Sequence, residues 1–549
     1  MPRHQEYSVA AADERRFGGS SDVGNHPVSP ESYDETGRLE RWVAENSTWI
    51  ALGIIVVGCA IRVAYSASCY LNPDEAFGFL AARPRSWFEA YRASHALTHP
   101  PMFILVLHWM IYFFGRAELV LRLPSIAGGT AALWLAFAWI RRSLGHLPAL
   151  GGIIFMAISP AAISGSTEVR QYGLLLCFLC GALYATERAF NERSTRWAIV
   201  NGFSLLGALT THYIALVPIA ALGVYVFLRC RNDHAPRRTL LAFASTQLAL
   251  AAVFGVLYFR QIRHSETFSS GGLSYLNRYF FVAGRDTPLT YTWRAFLDTF
   301  NYMVGAATHP LAYISILVFL AGLLALLSGR AKSGRLTALL IFSVVVVGFT
   351  SCLAHVFPFA GTRHQAYLLP FLAAGFSAAL LWIPRRLATI LLLLEVALVP
   401  FWALSTAPDN DPQVRSINDM KAAMDYLNRT VPPGAPLFVD EETRLELSYY
   451  LGKDDASLDS YYRQLGNEQL LKGHRIVSQK EYLFSFSPGE TLATANQAAR
   501  GIGASPGSPM WIISVRWPGT VPLASLLPTA DIQNAKSFGA ISLIEAACK

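Results

Sequence analysis

Two adjacent carboxylates, Asp74 and Glu75, follow the first long apolar stretch of the chain in the run Asn72-Pro73-Asp74-Glu75. A carboxylate at such a place can take the proton of an attacking hydroxyl group. A structural interpretation competes with this one, because Asp can cap the helix-like stretch that follows and Glu in a first turn can pair with the helix dipole. We predict that both residues are catalytic.

A second polar group contains Glu168, Arg170 and Tyr172, between two later apolar stretches, and Arg363 begins another stretch. A carboxylate at the membrane surface needs a partner, so Glu168 would meet Arg170, a metal or substrate. Guanidinium groups can hold the charge of an anionic leaving group. Arg170 and Tyr172 could instead anchor their helix at the interface. We predict that Glu168 is catalytic and that the other three bind substrate.

Two histidines complete the candidate set. His99 precedes two prolines, which exclude it from helical geometry, and His212 lies in a tight turn where it could also act as a cap. We predict that both bind substrate. Glu168 and His99 are in addition the candidate ligands of a divalent metal cation, and the residues suggest no other cofactor.

The composition shows which elements must position these residues. Hydrophobic residues make up 53% of the 549, charged residues 15%, and the mean hydropathy is +0.34. Such a balance is typical of a polytopic helical membrane protein. The net charge of +8 is concentrated in arginine clusters between apolar stretches, which indicates membrane topology rather than nucleic-acid binding. The seven cysteines are scattered, and the sequence neither supports nor excludes a disulfide between Cys69 and Cys548.

About eleven membrane-length stretches are expected. They lie near residues 49–67, 119–140, 148–166, 170–187, 197–211, 213–228, 239–259, 309–328, 336–354, 365–382 and 387–405. With the amino terminus inside, every second connection is basic and cytoplasmic, which places the candidate residues on the outer face of a cell inner (plasma) membrane. Residues 100–115 are too short to span and are predicted to form an interfacial helix.

The chain divides into three parts. Residues 1–45 are polar and predicted to be a disordered cytoplasmic tail, residues 46–405 to be the transmembrane catalytic domain, and residues 406–549 to be a small outer α/β domain. Residues 260–308 form a predicted outer loop that could serve as a lid or an acceptor-binding surface.

A family resemblance rests on motifs in a fixed order over about 70 to 370. The motifs are Asn72-Pro73-Asp74-Glu75-Ala76-Phe77, Thr98-His99-Pro100-Pro101-Met102, Glu118-Leu-Val-Leu-Arg122-Leu-Pro124-Ser125, Ser166-Thr-Glu168-Val-Arg170-Gln-Tyr172, Thr211-His212-Tyr213 and Arg363-His364-Gln-Ala-Tyr-Leu-Leu-Pro370. The chain resembles the polyprenyl-phosphate-dependent GT-C glycosyltransferases, a group that includes the lipid A aminoarabinose transferase, rhizobial galacturonosyltransferases and protein O-mannosyltransferases.

The resemblance implies a GT-C-like fold with outer juxtamembrane helices. It also implies an inverting transferase that moves a sugar from a polyprenyl-phosphate carrier to a glycan, lipid or protein hydroxyl, in contact with membrane lipids and no nucleic acid. Asp74 would be the base, and Glu168 would orient the acceptor or an ion. The acid that contributes to a metal site in the aminoarabinose branch has no counterpart in Ala96-Leu97-Thr98-His99.

Two other classes compete with a transferase. A lipid or solute transporter needs many spans too, but it places its charges near the midplane of the membrane, often in related halves. A non-enzymatic scaffold would leave the outer acids without a role.

Overall fold

The computed structural model describes residues 30–95, 99–233, 236–264, 279–282, 284–305, 309–331, 333–405, 415–459, 468–479, 488–515 and 532–548. The first helix begins at Pro30, so residues 30–45, which we expected to be disordered, are helical instead. Residues 1–29 lie outside the described part of the chain.

Most of the described chain is helical. The helices of the bundle are α1 Pro30–Ser68, α2 Pro73–Ala82, α3 Trp87–Ser94, α4 Met102–Phe114, α5 Glu118–Leu144, α6 His146–Ile158, α7 Pro160–Thr167, α8 Tyr172–Asn191, α9 Thr195–Thr211, α10 Leu216–Asn232, α11 Arg237–Arg260, α12 Pro288–Val304, α13 His309–Leu327, α14 Gly334–Leu353, α15 Leu369–Ala378 and α16 Arg385–Ser405. Short 3-10 turns precede α10 at Tyr213–Ala215 and α15 at Arg363–Leu368.

The predicted membrane helices are present. Among the described residues, eight helical segments are long and apolar enough to span a membrane, or nine if the α6–α7 pair, bent by 59°, is one broken span. The prediction of about eleven is higher because it counted two further helices. These are α9, which has 17 residues, and α16, whose last side chains lie outside the described part. The polytopic helical fold is confirmed.

Three short helices, α2 to α4, connect the first two long ones. Helix α4 has 13 residues, too few to cross the hydrocarbon core of a bilayer. It exposes Trp109, Tyr112 and Phe113, amphipathic and aromatic residues of the kind that collect at membrane interfaces. Much of the predicted lid at 260–308 lies outside the described residues, and α12 is its main described element.

Close contact between α5 and α8 positions the segment that carries Arg170 and Tyr172. A Cβ added at Gly173 would lie 2.2 Å from the Ser125 carbonyl oxygen, so only glycine permits this approach. The Ser125 hydroxyl donates a hydrogen bond of 2.6 Å to the Arg170 carbonyl oxygen. The start of α8 is thereby fixed against α5.

The carboxyl-terminal part forms an α/β domain, as predicted. Its elements are α17 Ile417–Thr430, β1 Pro436–Asp440, α18 Glu441–Tyr450, β2 Glu468–Leu471, β3 His474–Gln479, α19 Pro488–Gly501, β4 Pro509–Val515, β5 Ile532–Phe538 and β6 Ile541–Ala547. The strands form one sheet in the order β2-β3-β1-β4-β6-β5. Strand β1 runs parallel to β3 and β4, and the other pairs are antiparallel. Cys69 and Cys548 form no disulfide with each other.

The domain docks on the bundle through α18 and an ion-pair cluster. The Tyr449 hydroxyl donates to the Arg116 carbonyl oxygen over 2.9 Å. The carboxylate of Asp459 lies 2.9 Å from Arg83 and 3.1 Å from Arg116. We call this end of the bundle the domain end. The basic connections collect at the opposite end, where Arg142 pairs with Glu192.

Candidate active site

Asp74 owes its position to the start of α2. Asn72 caps the helix: its side chain accepts a 2.8 Å hydrogen bond from the Glu75 amide, and the Glu75 side chain accepts a 3.0 Å bond from the Asn72 amide. Pro73 occupies the first helical position, which its fixed φ favours. The cap is therefore Asn72, and the Asp74 side chain is left available for other contacts.

Asp74 lies between two arginines from distant parts of the sequence. Its carboxylate accepts a hydrogen bond from Arg363 and is 3.6 Å from the guanidinium group of Arg170. Its side chain is 30% exposed, whereas that of Arg170 is 9% exposed. Burial alone would raise the pKa of Asp74, but Arg170 and Arg363 outweigh it and hold the pKa well below its ordinary value. Asp74 is thus an accessible carboxylate beside two cations.

Arg170 retains donor capacity for a ligand. Its buried Nε atom has no hydrogen-bond partner within the described part of the chain. A buried donor of this kind carries a free-energy cost until an acceptor satisfies it. Arg170 and Arg363 together can therefore hold an anion next to Asp74.

Glu75 has a different environment from its neighbour. It is fully buried, and Arg122 donates to it twice, over 2.8 and 2.9 Å. Arg415 donates over 2.8 Å and the Val169 amide over 2.8 Å. With the Asn72 amide, five donors occupy the acceptor sites of this one carboxylate.

These contacts favour a structural role for Glu75 rather than the catalytic role expected from the sequence. Burial alone would raise its pKa, but Arg122 and Arg415 lower it. The group therefore stays ionised, and it has neither access to an acceptor hydroxyl nor a vacant site for its proton. Its contacts tie α2 to α5, to the loop before α8 and to the carboxyl-terminal domain.

Glu168 lies beside both groups without joining the Asp74 ion pair. It is buried, and its carboxylate accepts a 3.2 Å hydrogen bond from the Asn72 side chain. Burial, with help from the negative charge of Glu75, raises its pKa. Of the expected partners, Arg170 forms no ion pair with Glu168 among the described residues, and the contact with the helix cap favours an orienting role.

Three histidines and Tyr172 line the same region. The ring of His212 lies 5.2 Å from His99, 5.4 Å from Tyr172 and 6.1 Å from His364, measured between centroids. The His212 Nδ1 atom accepts a 3.0 Å hydrogen bond from the Ile214 amide, so the turn-capping interpretation of this residue is correct. Its buried Nε2 atom has no partner among the described residues.

Burial, with help from neighbouring groups, keeps two of these rings neutral. Burial lowers the pKa of His99 well below its ordinary value, and Arg170 lowers it further. Burial and the neighbouring His99 ring act in the same direction on the pKa of His212. The rings of His99 and His212 are therefore uncharged and do not add to the positive charge of Arg170 and Arg363.

The predicted metal site does not fit this arrangement. Within the described ranges, no group of three or more His, Cys, Asp or Glu side chains is placed to hold a metal ion. Two carboxylates lie near the histidines. Asp74 accepts a hydrogen bond from Arg363, and Glu168 accepts one from the Asn72 side chain. The cations that the described residues place beside Asp74 are the guanidinium groups of Arg170 and Arg363.

The sequence assigned no role to three residues of this region. Arg122 and His364 lie inside the motifs of the family resemblance. In the structure, Arg122 pairs with Glu75, and the His364 ring lies beside the ring of His212. A buried arginine in an apolar helix was the available signal for Arg122, because such a charge needs a partner. Arg415 follows a polar stretch, and no feature of the sequence indicated its contact with Glu75.

Comparison with known proteins bears on this arrangement. Residues 98–259, less than half of the chain, match the family model described as "Dolichyl-phosphate-mannose-protein mannosyltransferase". No curated protein matches the chain.

Several solved structures are similar to the chain. ArnT from Cupriavidus metallidurans bound to undecaprenyl phosphate aligns over 91% of this chain and 98% of its own, with 12% identity and a TM-score of 0.52. Its apo state gives 13% identity over the same shares, with a TM-score of 0.51. The oligosaccharyltransferase of Archaeoglobus fulgidus covers 86% of this chain and 70% of its own, at 12% identity and a TM-score of 0.47. The resemblance seen in the sequence is thus confirmed, and the chain has the fold of the GT-C membrane glycosyltransferases.

Proposed function

We propose that this protein is an inverting glycosyltransferase that moves a sugar from a polyprenyl-phosphate carrier to a hydroxyl group. One observation carries the proposal: an accessible carboxylate, Asp74, lies between the guanidinium groups of Arg170 and Arg363 at the domain end of a membrane bundle. The pairing of a proton acceptor with an anion clamp meets the two needs of glycosyl transfer.

This geometry supports the following reaction. A hydroxyl oxygen of the acceptor attacks the anomeric carbon of the sugar as its proton moves to a carboxylate oxygen of Asp74. The bond between that carbon and the phosphate oxygen breaks, and its electron pair leaves with polyprenyl phosphate. Arg170 and Arg363 hold the charge of the departing phosphate. Attack from the face opposite the leaving group inverts the anomeric centre.

The low pKa of Asp74 describes the site without a bound donor. A carboxylate held by two arginines is a weak base. A donor phosphate competes for the same guanidinium groups, and Asp74 then loses part of the stabilisation that lowers its pKa. Donor binding therefore makes Asp74 a better proton acceptor at the moment when it is needed.

The substrate classes rest on the resemblance and on the relatives. One ArnT structure is described as bound to undecaprenyl phosphate, which supports a polyprenyl carrier here. The acceptor would be a glycan, lipid or protein hydroxyl. The arginine clusters at the end opposite the active site support an orientation in which the site faces the outside of an inner membrane.

Reconstitution tests the proposal. The purified protein in liposomes receives a labelled polyprenyl-phosphate sugar and candidate acceptors, and the release of polyprenyl phosphate is followed. A transferase cleaves the donor, and Asp74→Asn slows the cleavage roughly 100- to 10,000-fold. Asp459→Asn is the matched control, because this carboxylate is also paired with arginines, Arg83, Arg85 and Arg116, but away from the site. Movement of intact donor across the membrane without cleavage would show a transporter instead.

A further inference from the structure

Arg415 joins the carboxyl-terminal domain to the buried carboxylate beside the active site. It lies just before α17, the first helix of that domain, and is itself buried. Its guanidinium group donates to Glu75 over 2.8 Å and also to the Tyr70 carbonyl oxygen. The Arg415 carbonyl oxygen in turn accepts a 3.0 Å bond from the Tyr70 amide. The two parts of the protein thus share one buried ion cluster.

Glu75 transmits this contact to Asp74. The two residues are adjacent in the first turn of α2, and the Glu75 carboxylate closes the capping box on Asn72. Whatever holds the Glu75 carboxylate therefore fixes the first turn of α2 and the direction of the Asp74 side chain. Arg122 from the bundle supplies one of the two cations that hold it, and Arg415 supplies the other.

Arg122 and Arg415 together offset the burial of the Glu75 carboxylate. A buried carboxylate is stable only when its desolvation is offset by partners of good geometry. Removing Arg415 leaves one arginine, whose guanidinium group is also committed to the Ser66 and Cys69 carbonyl oxygens. The Glu75 carboxylate would then keep Arg122 and the amides of Val169 and Asn72, but it would lose its own link to the carboxyl-terminal domain.

We propose that Arg415 is a positioning residue, through which the carboxyl-terminal domain completes the active site by fixing Asp74. The inference rests on the proposed function of Asp74. It makes the domain part of the catalytic unit, because Arg415 helps to hold Glu75 and with it the turn that carries Asp74.

The competing explanation is that Arg415 only attaches the domain. The Asp459 cluster offers a control for attachment, since it joins the same two parts through Arg83 and Arg116 without touching Glu75. If attachment is all that matters, loss of either cluster has the same effect on turnover.

The test compares Arg415→Gln, Arg415→Lys and Asp459→Asn in the full-length protein. A displacement of about 1 Å at a reacting group costs roughly 100-fold in rate, so we expect Arg415→Gln to lower kcat on that scale with little change in the KM of the donor. Arg415→Lys keeps the charge and recovers part of the rate. Asp459→Asn keeps kcat. Equal kcat losses in Arg415→Gln and Asp459→Asn, or none in Arg415→Gln, would overturn the proposal.

A second readout does not depend on activity. Amide hydrogen exchange at residues 72–76 should become faster in Arg415→Gln than in Asp459→Asn, because only the first variant frees the turn that carries Asp74. Unchanged exchange in this turn would overturn the positioning role. If the wild type cleaves no prenyl-phosphate sugar while the exchange difference is present, the proposed function fails and the mechanical link remains.

Discussion

Replacement of Asp74 by Asn is the most direct perturbation of the site. The amide has nearly the same shape as the carboxylate, but it cannot take a proton from an acceptor hydroxyl. General-base assistance contributes roughly 100- to 10,000-fold to the rate. At 1.36 kcal/mol for each factor of ten, this is about 3 to 5 kcal/mol of transition-state stabilisation. We expect kcat to fall within that range.

The same substitution should leave donor binding intact or improve it. Before the donor binds, Asp74 accepts a hydrogen bond from Arg363 and lies 3.6 Å from Arg170. The amide introduced by Asp74→Asn carries no charge, so the donor phosphate no longer competes with a carboxylate for these cations. The fold should tolerate the change, since the Asp74 side chain is partly exposed and the cap of α2 is Asn72.

The assay separates these effects. Release of polyprenyl phosphate at saturating donor gives kcat, and titration of the purified protein with donor gives its affinity. A folded Asp74→Asn protein with a kcat within a few-fold of the wild type would refute the base assignment. A large loss of donor affinity with unchanged kcat would assign Asp74 to binding instead.

Three further predictions concern neighbouring groups. Glu75→Gln breaks a fully buried pair and should cost about 3 to 5 kcal/mol of unfolding free energy, seen as a lower thermal midpoint in detergent; an unchanged midpoint would refute the structural role. Arg170→Ala and Arg363→Ala should each weaken donor binding measured by titration, and unchanged affinity in both would remove the anion clamp. Glu446 is a buried residue of α18 in the carboxyl-terminal domain. Burial raises its pKa well above its ordinary value, so its contribution to stability is present below about pH 4 and is lost as the pH rises through the folded-state pKa. Glu446→Gln should therefore gain stability relative to the wild type as the pH rises, which thermal unfolding at several pH values would show.

The candidate site was partly predictable from residue types. A base and two cations next to membrane helices suit glycosyl transfer, and this chemistry indicates Asp74, Arg170 and Arg363. The structure brings the three residues together. Glu75 has the same residue type and adjacent position as Asp74. Its separate environment depends on Arg122 and Arg415, which lie 47 and 340 residues away along the chain, and no local pattern encodes such a contact.

The helical membrane fold is predictable from local patterns alone, because apolar stretches of bilayer length leave the backbone few other ways to satisfy its hydrogen bonds in lipid. The cap that starts α2 is equally local, since Asn72, Pro73 and Glu75 act through neighbouring backbone groups. Which carboxylate of the pair is buried and which can reach a substrate depends instead on contacts between distant parts of the chain. That division depends on the close packing of α5, α8 and the carboxyl-terminal domain around one charge, and free energies of desolvation and pairing are properties of the assembled fold.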